Sequence, residues 1–285
     1  MSAPKQGWRP RRYHAPGLTP LEVWNLPVLG HELWELLSTP RVEADRNAGV
    51  PEHALATRLM PALASALESL VLQHTVDAVW LSGGLACLQG FEQALTAATT
   101  KLGRPVVLAE SPRFAPVHAG LGLLKSSVSA REALCLDVGQ TSLKCASPGT
   151  LQVFERDTSV LPRLFIGMPR PEDGHHIIAA VRFLAGALRA LTRDISVDAL
   201  CLALPCPLDE ALVPGGCTYG WEGHSTLVAD ILAEARLPGG GEVLVLNDAE
   251  LAAEAARGDS RLASHRRILC LTLGFGPGGA LLVRD

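Results

Sequence analysis

The chain has 285 residues, which is enough for two domains of ordinary size or one large α/β domain. Hydrophobic residues make up 48% of it and aromatic residues only 5%, so the core must be built from Ala, Leu and Val, which suits helices layered on a buried sheet. The net charge of −4 indicates no nucleic-acid partner, and the lack of an apolar run of ~18 residues indicates no membrane-spanning helix.

The N-terminal stretch 1–16 contains basic residues, but no apolar core follows them, so it differs from a secretory signal. We expect a poorly ordered or surface-lying arm whose arginines are solvated, with contact to an anionic partner as the alternative. The seven cysteines form no CxxC pair, and several lie within apolar stretches. They indicate small buried side chains in a reducing, cytoplasmic environment rather than zinc ligands or disulfides.

Residues 1–50 are rich in proline and do not define elements clearly. From His53 to His74, leucines recur at helical spacing and predict an amphipathic helix, in which Pro61 marks a kink or a late start. The next predicted elements are a strand at 76–81, a Ser-Gly-Gly turn at 82–84, a helix at 90–101, a strand at 105–108 and a helix at 114–125.

The second half begins with three consecutive predicted strands, at 134–138, 142–146 and 151–155. An amphipathic helix follows from about 171 to 192, with Ile177, Val181 and Leu184 beginning its apolar face. The remaining predicted elements are a strand at 199–204, a short strand at 211–213, a helix at 225–235, a strand at 242–246, a helix that ends near 257, and a strand–turn–strand unit at 268–283.

The stretch Leu134–Ala146 carries residue types that suit phosphate and Mg²⁺. Three apolar residues lead to Asp137, Gly139 opens a tight turn, and the second strand carries Thr141 and Lys144. Backbone N–H groups at such a turn can face a polyphosphate, while the carboxylate meets the metal directly or through water. A hairpin with Asp and Gly at its turn is also common without any ligand, so this stretch alone does not decide the function.

Five segments of the chain resemble motifs of one protein family. They are DVGQTSLK at 137–144, LALPCP at 202–207 with YGW at 219–221, LNDA at 246–249, TLGFGPGG at 272–279, and WLSGG at 80–84. In this order they resemble the phosphate-1 hairpin, the segment lining the sugar cleft, the motif with the catalytic aspartate, the phosphate-2 hairpin and the adenosine motif. The family is the sugar-kinase branch of the actin-like ATPase superfamily, and the closest group is that of the bacterial ROK and glucokinase proteins.

The first four segments stand in family order, whereas the adenosine motif precedes them instead of following phosphate-2. The resemblance therefore implies a circular permutation, in which the usual first residue lies near 131 and the usual C-terminal part stands at the front. It implies an α/β fold with two actin-like ATPase (ribonuclease H-like) domains around a central cleft. One domain would comprise 131–238, and the other would combine 1–130 with 239–285. Permutation is tolerated where the original termini lie close together.

The resemblance implies ATP and Mg²⁺ as cofactors and a sugar as the substrate. Asp248 would accept the proton of the attacking sugar hydroxyl, and Asp137 would hold Mg²⁺ through water, in a reaction that relies mainly on positioning and charge neutralisation. The implied nucleotide-binding residues are Asp137, Gly139, Gln140, Thr141, Lys144, Thr272, Gly274, Gly276, Gly278, Gly83 and Gly84. The implied sugar-contacting residues are Asn247, Glu222, His224 and His31. Dimers are common in this family, so a homodimer is also expected.

The chain departs from the family at several positions. Phe275 replaces a small hydroxyl residue, and Pro277 removes a backbone donor from the phosphate-2 turn. The ROK zinc motif is absent, and of the family's GExGH motif only the Gly-His pair remains, with Val28 in place of Glu. These departures leave a non-catalytic sensor of nucleotide or sugar as the alternative to a sugar kinase.

Each motif also has a structural interpretation when it is taken singly. Asn247-Asp248 would be the N-cap of the following helix. The Gly-rich turns would be ordinary loops, Lys144 would be a surface residue, and His31 would have a packing role. The joint occurrence of the five motifs is what favours the functional interpretation.

Overall fold

The computed structural model describes residues 7–164 and 171–284. The chain forms two compact units. Unit 1 comprises Met1–His14 and Val117–Leu251, and unit 2 comprises Ala15–Pro116 and Ala252–Asp285. Each unit combines a sheet with helices, so the predicted α/β class is confirmed.

The strands in chain order are β1 (Arg9–Arg12), β2 (Leu18–Leu21), β3 (Pro27–Val28), β4 (His31–Glu32), β5 (Ala78–Ser82), β6 (Val106–Leu108), β7 (Ala133–Val138), β8 (Ser142–Ser147), β9 (Thr150–Glu155), β10 (Ala199–Leu204), β11 (Glu242–Asn247), β12 (Arg267–Leu273) and β13 (Pro277–Val283). The α-helices are α1 (Leu33–Leu36), α2 (Thr39–Asn47), α3 (Glu52–His74), α4 (Phe91–Thr99), α5 (Ala115–Val128), α6 (His175–Leu191), α7 (Leu227–Ala235) and α8 (Asp248–Gly258).

Unit 1 is built on a six-stranded sheet in the order β1-β11-β10-β7-β8-β9. Strands β1, β11, β10 and β7 are parallel, whereas β8 and β9 extend the sheet as an antiparallel meander. Every residue of β7 and β10 is buried, as expected for parallel strands covered on both faces. The apolar faces of α6 and α7 pack on this sheet, with Leu184, Leu188 and Ile231 in the core.

Unit 2 is built on a five-stranded sheet in the order β2-β13-β12-β5-β6. Strands β12, β5 and β6 are parallel, and β13 and β2 follow antiparallel on the other side. The leucines of α3 that predicted a helix are its buried face and share a core with β5 and β12. Pro61 lies on the exposed side inside this single helix, which therefore does not start late.

The two sheets share one strand pattern. In each, an antiparallel hairpin is flanked by a third antiparallel strand on one side and by two parallel strands on the other. Unit 1 takes its five common strands in chain order, from β7 to β11, and adds β1 at the edge. In unit 2 the hairpin β12–β13 is C-terminal, whereas the third strand, β2, comes from the N-terminal part of the chain. Leu282 of β13 pairs with Leu18 of β2, so the end of one strand lies beside the start of the other.

Two sequence-based expectations differ from the structure. Arg9–Arg12 is a strand of the unit 1 sheet rather than a solvated arm. The expected strand at 211–213 is a loop, because the Asp209 carboxylate accepts hydrogen bonds from the Ala211 and Val213 N–H groups at 2.9 and 2.8 Å. The predicted domains, 131–238 and 1–130 with 239–285, stay a prediction, and the compact units include β11 with β10 in unit 1, since these strands pair along their length.

Helix α3 is the one helix in the described residues that is long and apolar enough to cross a membrane by length and composition. Half of its apolar window is buried inside unit 2, as expected for a core helix. The seven cysteines are free thiols, and six of them are buried. Cys87 is the exposed one.

Candidate active site

The carboxyl ends of the parallel strands in unit 1 bring the predicted catalytic motifs to one edge of the sheet. Asp137 lies near the end of β7 and pairs with Ala203 of β10. Asn247 ends β11, opposite Leu204, and Asp248 starts α8. Adjacent strands lie ~4.8 Å apart, so the ends of β7 and β11 are separated by about 10 Å. Ligands of open α/β sheets bind at this edge.

The turn of the β7–β8 hairpin is held by backbone and side-chain contacts. The Gly139 N–H donates to Ser142 O at 3.0 Å, which leaves Gln140 and Thr141 at the tip. A Cβ at position 139 would lie 2.9 Å from Ser142 O and would also collide with the Lys144 ammonium. Glycine is therefore required at position 139 because the Ser142 carbonyl and the Lys144 side chain approach it closely, and not because its backbone is left-handed.

Lys144 and Asp137 form an ion pair inside this hairpin. The Lys144 Nζ lies 3.6 Å from Asp137 Oδ2, and the two side chains are only 17% and 11% exposed. Lys144 is therefore not a surface residue. An ammonium group beside a carboxylate at a Gly-containing turn is suited to an anionic ligand that carries a metal ion, because both charges then have a partner.

Asp248 has an electrostatic environment typical of a general base. Burial raises the pKa of its carboxyl to about 7, and the negative charge of Asp137 adds to the rise. Lys144 and the Ala249 N–H act in the opposite direction. The side chain keeps partial access to solvent. A carboxylate with a pKa near neutrality can take a proton and release it again at the pH of a cell.

Asn247 and Glu250 fix the start of α8 around Asp248. The Asn247 Oδ1 accepts from the Ala249 N–H at 2.8 Å, and the Glu250 Oε2 accepts from the Asn247 N–H at 2.7 Å. The Glu250 contact is one half of a capping box, and the Asn247 side chain caps the second residue of α8. The Asn247 amide also donates to Cys206 O at 2.8 Å. The N-cap interpretation of Asn247 is thus correct, and its expected sugar contact stays a prediction.

Arg156, directly after β9, is a central residue that sequence reasoning missed. Its guanidinium is buried and donates to Gln140 O, to Thr218 O and Oγ1, and to two carbonyls of the 161–162 loop, at 2.7–3.2 Å. It also lies over the Tyr219 ring, 3.9 Å from the centroid. Burial lowers the pKa of Arg156. An arginine after a strand carries no sequence signal for this role, because its partners are as many as 62 residues away.

Tyr219 connects the hairpin to the segment after β10. Its hydroxyl donates to Gly139 O at 2.9 Å, and its ring stacks on Trp221 with 4.4 Å between centroids. Thr218 Oγ1 bonds the Gln140 side chain, whose amide also donates to Pro205 O at 3.3 Å. The predicted residue Gln140 is therefore used to hold the turn in place.

The two weaker sugar candidates of unit 1 follow Trp221. Glu222 is exposed, and His224 Nε2 lies 2.8 Å from the Asp230 carboxylate of α7. Thr226 Oγ1 donates to the same carboxylate at 2.8 Å. His224 thus has a partner at the start of α7, and its contact with a sugar stays a prediction.

Unit 2 brings the other predicted nucleotide-binding residues together. Ser82 of β5 pairs with Thr272 of β12, and a Cβ on Gly83 would lie 2.6 Å from Leu273 N. Gly83 has φ +103°, so it needs glycine for its conformation as well as for space. Gly84 begins a short 3-10 turn directly after it.

The β12–β13 turn consists of 274–276, because Leu273 pairs with Pro277. The Gly274 carbonyl accepts from the N–H and the hydroxyl of Thr39 at 2.9 and 3.0 Å, at the start of α2. A Cβ on Gly278 would lie 2.6 Å from Thr272 Oγ1. A Cβ on Gly276, in the turn, would meet no atom within 4 Å. The turn is thus tied to α2, an element that the sequence did not reveal.

A recess of about 420 Å³ lies in unit 2, and its lining begins at Ala86, so neither Gly83 nor Gly84 is among its lining residues. It is lined by the 3-10 turn, the start of α4 and the end of β6, with Glu92, Glu110 and Arg261 as its charged residues. His31 is not among its lining residues. It lies on β4, is exposed, and has Glu35 Oε2 3.6 Å from its Nδ1. This exposed position does not support a packing role in the core, and the expected sugar contact of His31 stays a prediction.

Within 7–164 and 171–284, no cluster of three or more His, Cys, Asp or Glu side chains is arranged to hold a metal ion. Mg²⁺ does not require such a cluster, because it commonly binds one or two carboxylates and completes its shell with phosphate oxygens and water. The Asp137 carboxylate is a hard oxygen donor of this kind. The site therefore fits a Mg²⁺ ion that arrives with a phosphate ligand.

No protein-family model and no curated protein matches the sequence. Among solved structures, the chain is similar to a Ppx/GppA family protein from Aquifex aeolicus, with 12% identity, a TM-score of 0.45, and coverage of 79% of this chain and 87% of that one. It is also similar to a ROK family glucokinase from Streptomyces griseus, solved with glucose and AMPPNP, with 13% identity, a TM-score of 0.41, and coverage of 73% and 88%.

A third similar structure is the type II variant of the Aquifex aeolicus Ppx/GppA phosphatase, with 17% identity, a TM-score of 0.33, and coverage of 55% of this chain and 52% of that one. Similarity at these levels assigns neither an activity nor a ligand to the chain. The α/β architecture and the geometry of the candidate site rest on the strand pairing and the side-chain contacts described above.

Proposed function

We propose that the protein is an ATP- and Mg²⁺-dependent phosphotransferase that acts on a sugar hydroxyl, as a member of the actin-like ATPase superfamily close to the ROK and glucokinase group. The observation that carries the proposal is the environment of Asp248. A carboxyl group with a pKa of about 7 lies on the same sheet edge as the Asp137–Lys144 pair. A base and a phosphate–metal element are the two parts that phosphoryl transfer to an alcohol needs.

Each residue has a defined task in this proposal. The Asp248 carboxylate accepts the proton of the attacking hydroxyl, and the Asn247 side chain contacts a neighbouring hydroxyl. The backbone N–H groups of Gln140 and Thr141 and the Lys144 ammonium contact phosphate oxygens. Asp137 would hold Mg²⁺, which supplies neutralisation of the phosphate charge when it is bound.

Unit 2 is proposed to contribute the second group of nucleotide contacts. The β12–β13 hairpin, with Thr272, Gly274 and Gly276, would contact phosphate, and Gly83-Gly84 together with the recess would take the nucleoside. The size of the recess, about 420 Å³, supports this assignment, since small-molecule sites of ~300–1,000 Å³ are usual.

The proposal includes the circular permutation and the two-domain, ribonuclease H-like architecture. It is supported by the strand pattern that the two sheets share. It is also supported by the position of β2, which is the third antiparallel strand beside the β12–β13 hairpin although it precedes that hairpin in the chain. A homodimer and a cytoplasmic location remain predictions of the same family assignment.

The test is a panel of hexoses, amino sugars and N-acetylated sugars mixed with protein and Mg·ATP, with release of ADP as the measurement. We expect sugar-dependent turnover for at least one member of the panel. The Asp248→Asn variant should lose turnover and keep its affinity for Mg·ATP, because it removes the base and leaves the phosphate contacts. ADP release that no sugar stimulates would contradict the kinase assignment.

A second candidate function is a sensor that binds nucleotide or sugar without transferring phosphate. Pro277, opposite Leu273, favours it, because proline removes one donor beside the phosphate-2 turn. Sugar-induced thermal stabilisation without any release of ADP would support the sensor over the kinase.

A further inference from the structure

Strand β1 belongs to the part of the sequence that no family motif covers, yet it lies against the strand that leads to the proposed base. Arg12 pairs with Val245 of β11, and the Tyr13 N–H donates to Val245 O at 2.9 Å. The N-terminal segment therefore extends the unit 1 sheet beside the β11–α8 connection that contains Asp248.

The Arg12 side chain is buried and forms an ion pair with Glu250. Its Nη1 and Nη2 donate to the two carboxylate oxygens at 2.7 and 2.8 Å. The side chains are only 9% and 6% exposed. Nη1 also reaches the carbonyls of Tyr13 and Val245. This is a two-pronged, largely dehydrated pair of the kind that fixes geometry well.

Glu250 transmits this contact to the residues around Asp248. The same Oε2 that accepts from Arg12 also accepts from the Asn247 N–H at 2.7 Å. In the sequence, Asp248 lies between Asn247, which donates this hydrogen bond, and Glu250, which accepts it. Its backbone is thus fixed on one side by Asn247 and on the other by the first turn of α8.

A structural role alone explains this pair poorly. Two charges taken out of water gain little net stability over apolar side chains of similar size, whereas their geometry is strict. Arg12 comes from a strand far away in the sequence, and Glu250 is the third residue of α8. Their ion pair is suited to orient Asp248, which lies at the start of this helix. A displacement of ~1 Å at a catalytic group can lower the rate ~100-fold.

We infer that Arg12 is a positioning residue for the phosphoryl-transfer site, and that it holds the Asp248 carboxylate in place through Glu250 and the Asn247 backbone. This inference rests on the proposed function. It assigns a task to the N-terminal strand, which the resemblance leaves without one.

The test compares Arg12→Lys with Arg9→Lys. Arg9 lies on the same strand and pairs with Glu242, but 51% of its side chain is exposed, so it is a matched control. Arg12→Lys keeps the positive charge and loses one of the two hydrogen bonds to the Glu250 carboxylate. We expect kcat to fall ~10-fold to ~100-fold, with the KM values for ATP and sugar within about twofold of the wild type, and no such change in Arg9→Lys.

Amide hydrogen exchange at Asn247 supplies a readout that does not need turnover. We expect faster exchange at this amide in Arg12→Lys than in the wild type, while amides in the middle of β10 are unaffected. If no sugar is phosphorylated by the wild type, the proposed function fails, and the exchange measurement still decides whether Arg12 orders the start of α8.

The double variant Arg12→Met/Glu250→Gln covers the case in which a single variant fails to fold, since it removes both buried charges together. Our expectation is a folded protein with the same loss of kcat and the same faster exchange at Asn247. A variant at Arg12 with the kcat and the Asn247 exchange rate of the wild type would overturn the inference. A fall in kcat that Arg9→Lys shares would overturn it as well.

Discussion

The carboxyl group of Asp248 makes the stability of the protein depend on pH in a defined direction. Its pKa is about 7 in the folded chain, against an ordinary value of 3.8. Between these values the folded state retains a proton that the unfolded state has lost, so this group lowers the free energy of unfolding as the pH rises. Asparagine resembles the protonated form at every pH.

We therefore expect Asp248→Asn to unfold at the same temperature as the wild type near pH 4 and at a higher temperature than the wild type near pH 8. Thermal unfolding at both pH values measures this difference. Turnover of the wild type should rise with pH through about 7, because the base must be ionised. An equal effect of the substitution at both pH values would show that the carboxyl has an ordinary pKa.

Arg156 should matter for both stability and anion binding. Arg156→Met leaves several buried carbonyls without a donor, so we expect the free energy of unfolding to fall by about 3 kcal/mol or more. It also removes the hydrogen bond to Gln140 O at 3.2 Å, which helps to hold the hairpin turn. We expect weaker binding of Mg·ATP by the folded variant, measured by calorimetry.

Arg189→Met is the matched control for Arg156. Arg189 belongs to the same unit, and its pair with Glu234 is 46% and 42% exposed. Exposed pairs of this kind contribute about 1 kcal/mol or less. A loss of stability in Arg156→Met that is no larger than in Arg189→Met would contradict the central role of the buried guanidinium.

At the scale of the element, the two adjacent glycines of the adenosine motif should respond differently to substitution. Gly83 has φ +103° and no room for a Cβ beside the Leu273 backbone, whereas a Cβ on Gly84 would meet nothing within 4 Å. We expect Gly83→Ala to lower the free energy of unfolding by more than about 2 kcal/mol, and Gly84→Ala by less than about 1 kcal/mol.

Urea unfolding measures both variants. Because we expect Gly84→Ala to leave the fold intact, this variant also separates ligand binding from stability. A weaker affinity for Mg·ATP in this variant would support the proposed nucleoside contact of Gly84, and an unchanged affinity would remove Gly84 from the site. Equal stability of the two variants would contradict the strained conformation at Gly83.

The elements that the sequence predicted are those with a long or continuous apolar signal. The leucine face of α3 and the buried runs of β7 and β10 are examples. Strands β1 and β2 were missed, because RPRR and LTPL are short edge strands without alternation and with a proline each.

The candidate site divides in the same way. Asp137, Gly139 and Asp248 are predictable from local motifs, because the turn and the helix start that contain them are local structures. Arg12 and Arg156 are not predictable, because each acquires its role only when the sheet forms. Arg12 is 238 residues from Glu250, and Arg156 is 62 from Thr218. No spacing rule connects residues so far apart.

At the scale of the whole molecule, the unit 2 sheet provides a test of the proposed permutation. Strand β13 ends beside the start of β2, since Leu282 pairs with Leu18 and the Val283 N–H donates to Gly17 O at 2.8 Å. In an unpermuted chain these two strands would be joined by a tight turn. In the present chain β2 instead follows β1 in the N-terminal part, and the chain runs continuously from α5 through 129–132 into β7.

A chain that begins at 131, continues from 285 through a flexible linker into residue 1, and ends at 128 should therefore fold. Gly17 lies beside Val283, and Gly7 is ten residues from Gly17, so the gap from Val283 to Gly7 is at most about 35 Å. A Gly/Ser linker of about 12 residues spans this distance and keeps Arg12 in the chain. Every strand pair of both sheets is preserved in this arrangement.

We expect the rearranged chain to unfold in urea with a midpoint close to that of the present chain and to bind Mg·ATP with similar affinity. A second rearranged chain, opened inside β12 at Cys270, is the control, because this cut divides a strand that is paired on both sides. It should not fold. If the chain opened at 129–130 behaves like that control, the connection from α5 to β7 is an obligatory part of the fold, and the permutation proposal fails.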